Sequence, residues 1–388
     1  MHQLLLVPFD LAPASALAAL DGSGAVEWEQ LIRAADAHRV LPALFTSPIA
    51  QLAPPDVHSR LEAAYYTGLT RHLEAIDALD RMAAGFRQSG IRWAVVKGPV
   101  LAETVYPRFD LRWYSDVDVL VHPDDFGSAA ELLEQQGGRV AERNWSQMTA
   151  EERGELSVTF PTGPAVDLHW HVLFDARQRR HLRSDTPALL ARTTETMLGR
   201  TAVPALDPID QLVHLFVHAC LSGGHVLRWS IDLWFASLRL DVGDDGTRRQ
   251  LVGAVRDARA ELLASVMCER AERLVGRPLV VAPLLDRPTR PWAALVNAID
   301  RLRPPERWTG GTGSGRLLVG ATRPTSLTSF VALASSALTA SRELTANPNH
   351  PWRRQRRAAS LPEPSVLRED ATPGARERYF ERVADLGG

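Results

Sequence analysis

Ser115-Asp116-Val117-Asp118-Val119-Leu120-Val121 is the stretch on which the reading of this chain turns. Successive side chains of a strand leave on opposite faces, so two carboxylates at i and i+2 in an apolar run share one face. A second alternating run, Val166-Asp167-Leu168-His169-Trp170-His171, places Val166, Leu168 and Trp170 on one side and Asp167, His169 and His171 on the other. As a neighbouring strand it brings Asp167 to Asp116 and Asp118. Three carboxylates that close cannot all stay ionised unpaired. Hard oxygen ligands on one face suit a divalent cation whose shell phosphate oxygens complete.

Outward from these runs the period of the pattern changes. Leu61, Tyr65, Leu69, Leu73, Ile76, Leu79, Met82 and Phe86 recur at helical spacing, which predicts a long amphipathic helix stopped by Gly90. Residues 91–96 read as a strand, 99–106 as a short helix, 116–121 as a strand, and 123–136 as a helix closed by Gly137-Gly138. Residues 156–160 and 165–172, joined by Pro161-Thr162-Gly163-Pro164, read as a hairpin. From Asp207-Pro208 the pattern is helical again: Ile209, Leu212, Val213, Phe216 and Cys220 share a face, and Gly223-Gly224 ends it. Further helices are expected over 226–240 and 248–275. Residues 303–315 form a linker by composition, and the chain from about 347 is Pro- and Arg-rich with the composition of a poorly ordered tail.

The 388 residues suffice for two or three domains with real cores. Lys plus Arg at 44 against Asp plus Glu at 46 leaves a net charge of -2, which offers no bulk attraction to nucleic acid or anionic membrane. Any polyanion must be met locally. Cys220 and Cys268 alone cannot form a disulfide framework, a four-cysteine zinc site or an iron-sulfur site, so a cytoplasmic location is expected. The first nine residues lack a basic region, and Asp10 and Pro13 interrupt the apolar run. Between Arg323 and Arg342 the chain is uncharged but rich in Ser, Thr and Ala, too weakly apolar for a bilayer. There Leu327, Phe330, Val331, Ala334 and Leu338 recur at helical spacing and predict a docked or partner-binding helix over 324–341.

In order and combination the motifs resemble the polymerase-beta-like nucleotidyltransferase superfamily, and within it a bacterial group of nucleotidyltransferase family proteins. The resemblance rests on Lys97-Gly98 at a strand end, a helix ending in Tyr106-Pro107, Arg112 ahead of Asp116-Val117-Asp118-Val119-Leu120-Val121, and Asp167-Leu168-His169-Trp170. Residues 212–218 and Leu227-Arg228-Trp229-Ser230-Ile231-Asp232-Leu233 resemble the helical segment that follows the core in that group. It covers roughly residues 30–240 and implies an α/β (α+β) fold: a small mixed-sheet nucleotidyltransferase core at 91–175, an N-terminal helical region at 1–90, a C-terminal helical domain at 176–302, and a linker, docked helix and tail at 303–388. The implied activity is transfer of a nucleoside monophosphate from an NTP to a hydroxyl or phosphate, with Mg2+ or Mn2+. Asp116, Asp118 and Asp167 would be the metal ligands, with Asp167 also the base. Lys97 and the Gly98 amide would meet the β- and γ-phosphates, Arg112 and Ser115 would add phosphate contacts, and His169 would orient Asp167. The chain departs from the superfamily in having Lys97-Gly98-Pro99 where Gly-Ser is common, with a longer gap to the carboxylates. Because the resembling group occurs with peptide-tailoring and other natural-product genes, the implied acceptor is a small metabolite or peptide rather than a nucleic acid.

Other readings stand beside this one. Asp-x-Asp alone is often a solvated edge. Asp167, His169 and His171 could hold the ion of a metal-dependent hydrolase, and the chain could bind a nucleotide without turnover, although all three aspartates are present. His214 and His218 have the i, i+4 spacing of zinc ligands, but no Glu follows the first, which favours helix packing. Asp232 reads as a buried partner of Arg228 or another helix residue, and alternatively as a group facing the cleft. Trp229 and Trp234 read as core residues. Gly311-Thr312-Gly313-Ser314-Gly315 lacks the strand and acidic residue of a dinucleotide loop and reads as a linker. Arg353, Arg354, Arg356 and Arg357 with Trp352 read as a solvated tail able to touch an acidic partner.

Overall fold

Asp116–Val121 forms the strand that its alternation predicts, and it lies in the middle of a seven-stranded mixed sheet. In chain order the strands are β1 (Trp93–Val95), β2 (Asp116–Val121), β3 (Arg139–Val140), β4 (Glu155–Thr159), β5 (Ala165–His169), β6 (Thr194–Leu198) and β7 (Thr201–Ala205). Across the sheet the order is β3-β4-β5-β2-β1-β7-β6. The β2–β5 and β1–β7 pairs are parallel and the rest antiparallel. The computed structural model describes residues 2–13, 16, 27–285, 290–302, 314–346 and 365–387. Of the linker expected over 303–315, residues 303–313 lie outside them, as does the arginine cluster at 353–357, while residues 314–315 open the helix Ser314–Gly320.

One face of the sheet is apolar because Val117, Val119 and Val121 of β2 point with Val166 and Leu168 of β5 into a single cluster. Helices cover it: α1 (Pro55–Ser89) contributes Leu79, Met82 and Phe86, and α2 (Phe126–Gln135) contributes Phe126, Ala129 and Leu133. Each fully buried Val, Leu or Phe there contributes about 1.5–3 kcal/mol, which fixes the register of β2. A one-residue slip would bury the aspartates. Gly90 caps α1 in the left-handed conformation, as its position predicts.

On the other side of the molecule the helical regions expected at the two ends of the chain share one core. Leu31, Leu44 and Leu61 pack in the same cluster as Leu212 and Phe216 of α3 (Pro208–Leu221), Ile231 of α4 (Leu227–Ser237), Leu263 of α5 (Glu261–Val275), and Trp292. The single helix expected over 248–275 is two, Asp245–Asp257 and Glu261–Val275, separated where Arg259 takes φ 54°.

The sheet also runs past residue 175, where the helical domain was expected to begin, because the β6–β7 hairpin adds to it through Val95 and Ala205. Part of the expected tail is ordered: Ala375–Gly387 is a helix whose Tyr379 and Val383 enter the sheet cluster. Helix Ser326–Ala346 sits at the expected place; of the stripe expected to dock or bind a partner, Phe330 packs edge-on against the buried Trp292, while Leu327, Val331 and Leu338 are 73%, 62% and 60% exposed. Ala332 and Leu333 also pack against the core. Among the described residues no helix is long and apolar enough to cross a membrane.

Candidate active site

The polar face of β2 and β5 is built by register. Asp118 is the cross-strand partner of Asp167 in the parallel pair, and Asp116 stands two residues earlier opposite Ala165. Partners in a ladder point to the same face, so the three carboxylates share the side opposite the valines. Leu120 continues that side into a small cluster with Ala94, Val96 and Leu206, which closes the floor beneath them.

Lys97 enters from the end of β1. Its Nζ lies 2.8 Å from Asp118 Oδ1 and 3.4 Å from His218 Nδ1 on α3. The turn that aims it depends on Gly98, which has φ 63° and whose missing Cβ would stand 3.1 Å from the Asp116 carbonyl oxygen. Only glycine fits both requirements without strain. His169 Nε2 lies 3.3 Å from Asp118 Oδ1, and its Nδ1 is 3.2 Å from Glu155 of β4. Ser157 Oγ donates to Asp167 Oδ1 at 2.6 Å. His169 therefore bonds Asp118, and Ser157 takes the orienting part expected of His169 toward Asp167.

The titrations follow from these contacts. Burial would raise the Asp118 carboxyl, but Lys97 and His169 outweigh it and hold it well below the carboxylate range. Asp167 moves the other way, pushed up to about 6 by burial and by the charges of Asp118 and Asp116 against the Ser157 bond. Burial opposes charge on His169, yet Glu155 and Asp118 leave it above the ordinary imidazole value. On α3, burial and then Lys97 push His214 down to about 3 and His218 well below its usual range. Both ring nitrogens of His214 are buried without a hydrogen-bond partner.

Arg112 is placed away from the phosphate role its motif implies. Its Nε and Nη2 donate to Asp232 of α4 at 2.8 and 3.0 Å, and its Nη1 donates to the Gly98 carbonyl at 3.1 Å. Tyr106 donates to the same carboxylate at 2.7 Å. This buried knot ties the sheet to the helices, and Asp232 takes Arg112 rather than Arg228 as its ion-pair partner. Ser115 is exposed at the start of β2. His171 follows the end of β5, and its Nδ1 accepts the Leu173 amide, so it does not join Asp167 and His169 as a ligand set.

A cavity of about 1120 Å³ lies alongside the carboxylates, not over them. Its wall includes Val172, Leu189, Arg183, Val213, His214 and Asp257. His214 also feels the charges of Lys97, Asp118 and His169, and so stands between the cavity and the charged face.

The donor set suits a hard divalent cation, since Asp167 is raised by burial and by the charges of Asp118 and Asp116, and such an ion would neutralise those charges. Among the described residues no group of His, Cys, Asp or Glu is gathered at metal-holding distances. Asp118 faces Lys97 and Asp167 faces Ser157.

A family model described as an uncharacterised nucleotidyltransferase matches residues 24–276. The chain belongs to this family. No curated protein matches it. The matched span contains all seven strands and helices α3, α4 and α5, so the family's shared part includes both the charged face of this nucleotidyltransferase and the helical wall above it. Sequence reasoning missed Glu155 and Ser157 as neighbours of the site. Their place on the polar side of the alternation Glu155-Leu156-Ser157-Val158-Thr159, opposite β5, was the available signal.

Proposed function

We propose that this nucleotidyltransferase moves a nucleoside monophosphate from an NTP to a hydroxyl or phosphate of a small metabolite or peptide, with Mg2+ or Mn2+, in tailoring a natural product. The observation that carries this reading is the register of β2 against β5, which sets Asp118 beside Asp167 with Asp116 on the same face, and Lys97 lies against Asp118. Asp116, Asp118 and Asp167 would hold the metal, which supplies Lewis acidity at the α-phosphate and charge neutralisation at the leaving group.

The chain's own groups do the rest. Lys97, released from Asp118, neutralises the phosphate tail as a compact point charge. Ser157 holds Asp167 Oδ1, leaving Oδ2 to take the acceptor's proton as its oxygen bonds the α-phosphorus and the bond to pyrophosphate breaks. The neighbouring cavity has both apolar and charged walls, which suits an acceptor of metabolite or short-peptide size. The test is pyrophosphate release from each NTP with Mg2+, with and without candidate acceptors, beside thermal midpoints with the same nucleotides. Neither release nor a shift with any NTP would remove the reading.

A further inference from the structure

Arg228 opens α4 beside this cleft, and no part of the mechanism above uses it. Its Nη1 donates to the Trp113 carbonyl at 2.6 Å, while its Nε is buried without an acceptor. The adjacent Trp229 Nε1 is also buried without one. Asp232, the nearest acid on the same helix, is already bound to Arg112 and Tyr106. Burial and then the Arg112 charge push Arg228 down to about 10, against the opposing pull of Asp232, Tyr106 and Asp116. Two further guanidinium groups surround the same loop residue: Arg39 and Arg71 lie 5.0 and 5.6 Å from the centre of the Trp113 ring. Among the described residues none of the three arginines has a carboxylate within ion-pair distance.

Three cations without counter-ions gathered at one tryptophan are unusual in a chain of net charge -2. Buried N–H groups without acceptors are costly and persist where a ligand supplies the acceptor. Arg228 is tied to the charged face by contact: its neighbour Trp229 packs edge-on against His218 with ring centres 5.7 Å apart, His218 Nδ1 lies 3.4 Å from Lys97 Nζ, and the Trp113 carbonyl that Arg228 holds is three residues before Asp116. We infer that Arg228, backed by Arg39 and Arg71 around Trp113, is a seat for the oligophosphate chain of the nucleotide, filling the place that Arg112 does not. The inference rests on the nucleotidyl-transfer reading of the cleft.

The test titrates inorganic tripolyphosphate, ATP and adenosine, without metal, into the full chain and into Arg228→Gln and Arg39→Gln/Arg71→Gln. Arg228→Gln is expected to weaken tripolyphosphate and ATP alike by about tenfold or more, because a charge-assisted, forked contact is lost. The double variant is expected to weaken both by about threefold and to flatten their salt dependence, and adenosine should be indifferent to all substitutions. Binding of tripolyphosphate by Arg228→Gln within about twofold of the parent overturns the inference, as does loss of tripolyphosphate binding with ATP unaffected. Should Arg228→Gln fold poorly, the Arg228 Nε–H NMR resonance of the parent, assigned with Arg228→Lys, must move on adding tripolyphosphate, and a stationary signal overturns the seat. Failure of the two readings is separable. Arg228-dependent tripolyphosphate binding without NTP turnover keeps the seat and removes transfer, whereas turnover with an unchanged KM for NTP in Arg228→Gln removes the seat and keeps transfer.

Discussion

Two buried ion pairs stand on either side of Gly98 and differ in how completely they are satisfied. Arg112–Asp232 is bidentate, carries the Tyr106 hydroxyl and the Gly98 carbonyl as further partners, and leaves 3% and 1% of its side chains exposed. Lys97–Asp118 is a single contact with 13% and 9% exposed, joined at Asp118 by a His169 pushed toward charge and set beside two histidines pushed toward neutrality and an aspartate pushed toward protonation. The first has its charges and hydrogen bonds matched inside the protein. The second has charges of both signs that the protein alone does not match. A matched pair holds elements together, and an unmatched one awaits a ligand.

Breaking the matched pair should have the largest effect on the fold. Asp232→Ala leaves Arg112 buried without its partner and is expected to cost about 3–5 kcal/mol in denaturant unfolding, with Arg112→Met/Asp232→Leu recovering much of it. An Asp232→Ala protein as stable as the parent would contradict the clamp. At the unmatched pair the large effect falls on chemistry. Asp118→Asn and Asp116→Asn should lower NTP turnover on the order of a thousandfold, the scale of losing a group that acts in the transition state, with the thermal midpoint of Asp116→Asn little changed and that of Asp118→Asn lowered by the loss of its contacts with Lys97 and His169. Near-normal turnover in either would dismiss the carboxylates as metal ligands.

The raised Asp167 gives the comparison a pH dependence. The folded state binds this proton more tightly than the unfolded chain, so its contribution to stability is full below about pH 4, the ordinary carboxylate value, and is lost as pH rises to about 6. Above that the charged group costs about 3 kcal/mol at most. Asp167→Asn should therefore be more stable than the parent at pH 8 and should lack the decline between pH 4 and 6. Asp118, held low by Lys97, works in the opposite sense, its contribution present at neutral pH and lost as pH falls. Unfolding curves across pH for the parent and Asp167→Asn separate the two.

The smallest of these effects sharpens the role of Lys97. Lys97→Ala should weaken Mg2+-NTP by roughly 1.5–3 kcal/mol, the worth of a charge-assisted contact. It should also tighten Mg2+ alone, because Asp118 no longer has a resident cation. Lys97→Arg should recover only part of the nucleotide affinity, since a planar head does not fit the place of a point charge. Unchanged nucleotide affinity in Lys97→Ala would retire the phosphate role and leave only the ion pair.

Much of this was legible in the chain because strand and helix patterns are local. The alternation at 116–121 and 165–169 gave the strands and their polar face, the helical rhythm of Leu61 to Phe86 gave α1, and Gly98 marked the turn beside β2. The β6–β7 hairpin escaped because β6 is a largely exposed edge strand and β7 carries Pro204, which reads against a strand. The helix at 375–387 escaped because its apolar positions are few and its partners lie some 250 residues earlier.

The sequence by itself determined the residue types, the face they share and the family resemblance, since each depends on neighbours within a few positions. Only the tertiary structure decided that Arg112 belongs to Asp232, 120 residues away, and not to a phosphate. It likewise decided that Lys97 rests on Asp118 and that Arg228 is left over. A charged side chain's role is set by which opposite charge reaches it first in a place that excludes water, and that competition is settled between elements, not along them.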